Sequence, residues 1–361
     1  MDNKITKSRL SDFLAYEWIL LLIITIVSII VWELAYTAGA VKLTIGQEFK
    51  YYYDINIIVD DANEFRQRLI NDETFSYDVL KLTSEALSEE NFVLGDRLSI
   101  QEGDVIFTDL VGIDEFEDEE KTIPKTVRAK SMVDSDLVYI GSLDQMVYNA
   151  KIYLTKNFFV DGAYAKIQAQ AEAGEQLPQL ITLMSAGDTD DEKILNSISD
   201  AKVENMFFSR NKDDNRFRDK EAIALGIKYE KERIVKLCEN VLLYEEFVSD
   251  ANNQDALFSY TRYSQSAQKG FESYHKDWAE IERQKNIKRF GKEQEIFGIN
   301  IGKLKNGADL SKSMRLAKPQ DPNRVADGIV VMTFDFTKYQ PDLQYESLSF
   351  VCTTIRSYMG E

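Results

Sequence analysis

FKYYYDINIIVD, residues 49–60, alternates along its length. Tyr51, Tyr53, Ile55, Ile57 and Val59 share one side, and Tyr52, Asp54, Asn56 and Ile58 share the other. A period of two carried by aromatic and β-branched residues predicts a β-strand. Asp60 and Asp61 end it. ANEFRQRLIN (62–71) follows with Phe65 and Leu69 at helical spacing, and Asp61 stands where it would cap that helix. FSYDVLKLTS (75–84) predicts a second strand, SEENFVLGDRLSIQEG (88–103) a helix ending at Gly103, and DVIFTDLV (104–111) a short buried strand. Strands alternating with helices over short connections imply right-handed crossovers and a mainly parallel sheet covered by helices.

The middle of the chain has a different pattern. From about Leu143 it reads as mostly helical. SLDQMVYNAKIYLTKNF (142–158) is amphipathic, KEAIALGIKYEKERIVKLCENVLLYEEFV (220–248) is a long helical pattern with a break expected near Gly226, and FESYHKDWAEIERQKNIKRF (271–290) is another helix. No proline occurs between Pro178 and Pro319. The expectation is that residues 188–290 are predominantly helical, without a second full sheet. Strand patterns then return in EIFGINIGKL (295–304) and DGIVVMTFDF (327–336). LQYESLSFVCTTIRSYM (343–359) closes the chain with Leu343, Leu348, Val351 and Ile355 defining a helix face. Strands that return after a helical insert are expected to complete the N-terminal sheet. IDEFEDEEK (113–121) reads as an acidic surface loop.

Ahead of the first strand lies WILLLIITIVSIIVW, residues 18–32, with eleven Ile, Leu and Val and no charge. At roughly −0.3 to −0.6 kcal/mol each, those residues favour membrane insertion by about 5 kcal/mol. The nearly uncharged stretch runs on to Val41, and residues 18–41 as a helix would extend roughly 36 Å, enough to cross a bilayer with some tilt. Trp18 and Trp32 suit the headgroup level. The competing reading is a cleaved signal: YTAGA (36–40) has the small residues of a processing site, and Lys4, Lys7 and Arg9 form a basic leader. The length of the apolar run and the seventeen residues before it favour a retained single-pass anchor. Three basic residues before the helix against Lys42 and Lys50 after it bias residues 1–17 to the cytoplasm and the large C-terminal part to the outside.

The chain has 361 residues, 44% of them hydrophobic, and a formal net charge of −18. It is long enough for substantial cores, and its charge repels phosphate backbones, so nucleic acid is not an expected partner. Cys238 and Cys352 sit in helix-like apolar contexts with no metal or redox spacing, and read as small buried hydrophobes, with a disulfide between them left open.

LGDRLSIQEGDVIFTDL (94–110) resembles the first lobe of the extracytoplasmic solute-binding proteins of ABC importers, in which a Leu-spaced helix ends in a Gly-Asp turn and a strand of the DVIF type leads to the cleft. Gly95, Leu98, Gly103, Asp104, Val105 and Ile106 carry the likeness. EIFGINIGKL resembles the stretch re-entering that lobe. DGIVVMTFDF followed by LQYESLSFVCTTI resembles a later strand and the helix near the end of such chains. The resemblance covers about residues 46–155 and 290–361. It implies an α/β lobe of periplasmic-binding-protein type, which in this chain is joined to a helical second lobe or insert over 156–289; the transmembrane helix expected over 18–41 from its apolar run precedes that lobe. The chain departs from the family in having an apolar helix where a lipidated cysteine is usual, and in a short, strongly helical middle segment.

Catalytic signatures are missing from the sequence. It contains no HExxH, GxSxG, phosphate loop or GxGxxG, and its one histidine, His275, lies on a helical surface pattern. DTDDE (188–192) has alternating oxygen ligands but lacks the glycine and glutamate of a calcium loop. No enzyme activity, metal or cofactor is therefore expected. In open α/β sheets ligands bind at the carboxyl ends of strands, which nominates Asp60, Asp61, Thr108, Asp109 and Asp335. Tyr274 and Trp278 would supply aromatic stacking for a sugar. The resemblance implies capture of a small polar solute, such as a carbohydrate, for a membrane transporter permease. The alternative is a ligand-free interaction module of the same fold in a transporter or envelope assembly. Two lobes facing across a cleft would favour the first, and a filled or absent cleft the second.

Overall fold

A computed structural model describes residues 18–39, 48–55, 57–61, 66–67, 79, 81–87, 103–110, 128–135, 139–212, 214, 216–262, 275–316, 327–335 and 341–359. The chain divides into two compact units, Met1–Ile45 and Gly46–Glu361. In the first, α1 spans Trp18–Gly39, 22 residues, or about 33 Å at 1.5 Å per residue. Its described side chains are Trp18, Ile19 and those of 22–35, and all are exposed. Counted over described residues alone, no helix is long and apolar enough to cross a membrane. The α1 backbone is longer than that run of side chains.

The second unit opens with β1 (Glu48–Tyr53), β2 (Ile57–Val59), β3 (Lys81–Ala86) and β4 (Val105–Asp109), then α2 (Arg128–Asp134), β5 (Ile140–Gly141) and α3 (Leu143–Asn157). The middle runs through α4 (Gln168–Ala173), α5 (Leu180–Leu183), α6 (Asp190–Ser197), α7 (Asp200–Arg210) and α8 (Lys220–Ser249) to β6 (Leu257–Tyr260) and α9 (His275–Phe290). It closes with β7 (Glu295–Asn300), β8 (Met314–Leu316), β9 (Ile329–Phe334) and α10 (Pro341–Met359). The expected helices over 62–71 and 88–103, apart from Arg66, Gln67 and Gly103, and the acidic loop over 113–121, lie outside the described residues.

The fold is mixed α/β around a seven-stranded sheet of order β3-β1-β4-β9-β7-β6, with β5 also paired to β9. β3, β1 and β4 pair in parallel, as the alternating pattern predicts. Beyond β4 the pairings are antiparallel: β9 on β4, β7 on β9, β6 on β7. The sheet is thus parallel in its N-terminal half and mixed as a whole. The returning strands do complete it, and β9 lies directly against β4.

The sheet's central strands are buried on both faces, which is why YYY, VIF and IVVM read as continuous apolar runs. On one face Phe49, Tyr51, Tyr53, Val105, Phe107, Ile329 and Val331 pack under α3, α8 and α10. Phe350 of α10 is the hub, with ring centroids 5.3 Å from Phe49, 5.3 Å from Tyr51 and 5.9 Å from Phe107. On the other face Tyr52, Ile106, Val330, Met332 and Phe334 meet Ala129, Met132 and Val133 of α2.

Two local expectations are corrected. FKYYYDINIIVD is not one strand, because β1 stops at Tyr53. The Asp54 carboxylate turns inward and accepts the Ile55 N–H at 2.8 Å, while the Ile57 N–H donates to the Asp54 carbonyl at 2.9 Å, closing a turn. Residues 57–59 then pair with β8 in a separate two-stranded sheet. Nor does the long helix break at Gly226, since α8 runs unbroken for 30 residues. Gly226 is there for space: a Cβ would lie 2.5 Å from the Phe207 ring and 2.6 Å from that of Phe217.

α8 turns Ile234, Leu237, Cys238, Val241, Tyr244 and Phe247 into the main core. Its partner is α10, where Arg356 Nη2 donates to Asn240 Oδ1 at 2.7 Å and Cys352 Sγ donates to the Asn240 carbonyl at 3.4 Å. Both cysteines are free thiols, which closes the disulfide question left open by sequence. Within 188–290 the described residues are mostly helical, and β6 is an outer strand of the same sheet.

Gly226→Ala should destabilise the protein by about 1–3 kcal/mol through overpacking, although alanine is the better helix former by about 1 kcal/mol. Denaturant titration of the two forms measures this, and a stabilised variant would contradict it. Asp104 provides a pH test. Burial drives its carboxyl up from 3.8 to about 7, with Glu48 adding to the shift and the Lys50 N–H bond, 2.8 Å to Oδ2, opposing it. Between those values the folded chain holds a proton that the unfolded chain has lost. Stability should therefore fall as pH rises from about 4 to about 7, on the order of 4 kcal/mol, and level off above. Asp104→Asn keeps an acceptor for Lys50 and should flatten that part of the profile.

Candidate functional site at the carboxyl edge of the parallel strands

β1 has β3 on one side and β4 on the other. The chain leaving β1 next joins the sheet at β3, and the chain leaving β4 next joins it at β5 on the far side of β9, so the connections diverge between β1 and β4, and the crevice at their carboxyl ends is where such sheets bind ligands. Asp54 stands at the end of β1, and Thr108 and Asp109 at the end of β4. β7 runs parallel to β4, so its last residue, Asn300, reaches the same edge, where Asn300 Oδ1 accepts the Gly328 N–H at 3.3 Å.

The centre of this edge is the buried carboxylate of Asp54. Thr108 Oγ1 donates to its Oδ2 at 2.6 Å. Arg128, the first residue of α2, grips it with both arms of its guanidinium, Nε to Oδ2 at 3.0 Å and Nη2 to Oδ1 at 2.7 Å. With the Ile55 N–H, the carboxylate accepts four hydrogen bonds. A carboxylate so held anchors α2 to the strand ends. The Arg128 side chain stays 35% exposed.

The nominated residues divide into separate groups. Thr108 and Asp109 are buried at this edge. Asp60 and Asp61 instead follow β2 and are exposed. Their N–H groups donate to the Ser313 carbonyl, and Asp60 Oδ2 pairs with Arg315 Nε at 2.7 Å. Asp335 is at the opposite edge. β9 is antiparallel to β4, with Asp109 facing Ile329 and Val105 facing Thr333, so its carboxyl end lies beside the amino end of β4. Trp278 belongs to α9, but its side chain lies outside the described residues, as does the whole of Tyr274.

Sequence reasoning missed Asp54 and Arg128. In the pattern, Asp54 looked like a polar residue on the outer side of a longer strand. The available signal was the position of an aspartate between Tyr53 and the β-branched run, where it is able to end a strand with an Asx turn. Nothing local marked Arg128 as its partner. DTDDE acts as a helix start: Thr189 Oγ1 caps α6 by accepting the Glu192 N–H at 3.2 Å, and Glu192 Oε2 reaches back to accept the Asp188 N–H, one residue before the cap, at 2.9 Å.

No protein-family model, no curated protein and no solved structure matches this chain.

Arg128→Ala should cost about 3 kcal/mol or more, because it leaves the Asp54 charge buried without its cation. Asp60→Ala, which breaks an exposed pair, should change stability by less than about 1 kcal/mol. Equal costs in denaturant titration would refute the assignment of Asp54 and Arg128 as the centre of this edge.

Proposed function

We propose that this chain is a membrane-anchored, non-catalytic α/β protein that acts as an interaction module for a transporter or envelope assembly, with a body resembling one lobe of a solute-binding protein. The observation that carries this reading is the packing of α8. The middle segment would form the second wall of a ligand trap. Instead, α8 is built into the same core as the sheet, through Ile234, Leu237, Val241 and Phe247.

α1 is the anchor in this proposal. Its 22 residues match the length of a bilayer crossing, and its described side chains between Trp18 and Trp32 are Ile, Leu, Val, Thr and Ser. The basic residues before it favour a C-terminal body outside the cytoplasm. The second reading is capture of a small polar solute at the carboxyl edge. The connections that diverge between β1 and β4, and the partly exposed Arg128 side chain, favour it.

Thermal shift separates the two. A solute at 100 times its dissociation constant adds roughly 2.7 kcal/mol, a few degrees of melting temperature for a body this size. The module reading expects no shift from sugars, oligosaccharides or amino acids, and co-purification of a membrane partner. A shift that weakens in Asp109→Ala would overturn it in favour of solute capture. For the anchor, the protein should stay in the membrane pellet through alkaline carbonate with its N-terminal peptide attached. A mature N-terminus near Val41 would mean cleavage.

A further inference from the structure

We propose that two copies of this chain join edge to edge through β3, continuing the sheet across a two-fold axis at Thr83. The pairing rests on the sheet of the body alone and goes beyond the module reading, which names no second copy. β3 stands at one end of the strand order, with β1 beside it and, among the described residues, no strand on its other side. The two ends of the sheet are built differently. β6, at the far end, has four residues and a register shift between Phe258 and Ser259, and a short, bulged strand is a poor template for another chain. β3 has six residues, pairs with β1 over all six without a shift, and contains neither proline nor glycine. Its one lysine, Lys81, is the kind of residue that discourages pairing, so what stands opposite Lys81 decides the partner.

The Leu87 N–H donates to the Tyr53 carbonyl at 2.8 Å. Backbone groups alternate along a strand, so Lys81, Thr83 and Glu85 also turn theirs toward β1, and Leu82, Ser84 and Ala86 turn theirs outward. An antiparallel copy with Thr83 opposite Thr83 sets Leu82 opposite Ser84, and those residues exchange backbone hydrogen bonds on both sides of the axis. Lys81 and Glu85 lie two residues either side of Thr83. The same register therefore sets Lys81 of each copy opposite Glu85 of the other, in the non-hydrogen-bonded positions where side chains come closest. Moving the register by two residues either way loses both charge pairs. Lys81 donates to Glu48 Oε1 at 2.6 Å and keeps its side chain 53% exposed. An ammonium carries three donors, so Lys81 can bridge Glu48 of its own copy and Glu85 of the second. A two-fold axis presents the same patch from both sides, and this patch is its own complement in charge and in backbone.

The test uses the full-length chain in membranes, with tagged and untagged copies co-expressed. The wild-type chain, with its buried Cys238 and Cys352, sets the background. Opposed Cα atoms at a non-hydrogen-bonded position lie about 4.5 Å apart, within disulfide reach. Thr83→Cys should therefore give a tagged–untagged disulfide dimer on mild oxidation, and Ser259→Cys on the β6 edge should give none. Lys81→Glu alone and Glu85→Lys alone each set like charges opposite one another at two places, and each should weaken dimerisation roughly tenfold in pull-down on the tag. Co-expressed with each other, the two variants bring unlike charges together again at both places. Their mixed dimer should form as well as the wild-type one, which a folding defect in either variant would prevent. No disulfide from Thr83→Cys, an equal yield from Ser259→Cys, or a mixture no better than either variant alone would overturn the pairing. None of these outcomes touches the module reading, which falls instead if a solute shifts the melting temperature.

Discussion

The pairing of β9 with β4 is the constraint on which the body of this protein depends. It sets Val105–Asp109 against Ile329–Thr333, strands far apart in the chain. The chain between them adds β5, β6 and β7 to the same sheet and must still return to the position beside β4. The helical middle is therefore closed into a loop whose two ends are adjacent, and the entropy of that closure must be offset by contacts made inside it. The main core makes them: α8 and α10 cross over the same sheet face, and Phe350 fills the space among Phe49, Tyr51 and Phe107.

Charge is placed accordingly. The chain carries a net −18, yet several of its buried acids are held by bases from distant elements. Burial alone would raise Glu230, but Arg233 and Arg210 hold it below the usual carboxylate range. Lys151 of α3 reaches Glu245 of α8 at 2.9 Å and the Pro178 carbonyl at 3.0 Å, while Glu245 also accepts the Leu180 N–H at 2.8 Å. Asp144, in the first turn of α3, accepts from Tyr244, Lys292 and the Ile296 N–H. Such pairs add little net stability over apolar packing, but breaking one leaves an uncompensated charge. They fix which helix lies where, and so register the middle segment on the sheet.

The carboxyl edge follows the same logic. Asp54 joins the end of β1, the end of β4 and the start of α2 through one carboxylate. That edge is the place where a sheet of this connectivity would take a ligand, and it is also a structural junction.

Periodicity in the sequence determined much of the architecture by itself. The alternation in residues 49–53, the apolar runs VIF and IVVM, and the helical spacing of 220–248 and 343–359 are local signals, and local side-chain patterning is enough to choose strand or helix. Thr108 and Asp109 were legible as strand-end residues because DVIFTD marks its own end. Tertiary structure alone decided the rest. Whether a strand runs on through Asp54 depends on Thr108 and Arg128, which lie 54 and 74 positions away. Asp335 was misplaced because the direction of β9 is a property of its pairing with β4, and no residue within the strand encodes it. Gly226 looked like a helix break because its requirement for space comes from the rings of Phe207 and Phe217, and the absence of a side chain carries no record of what fills the gap.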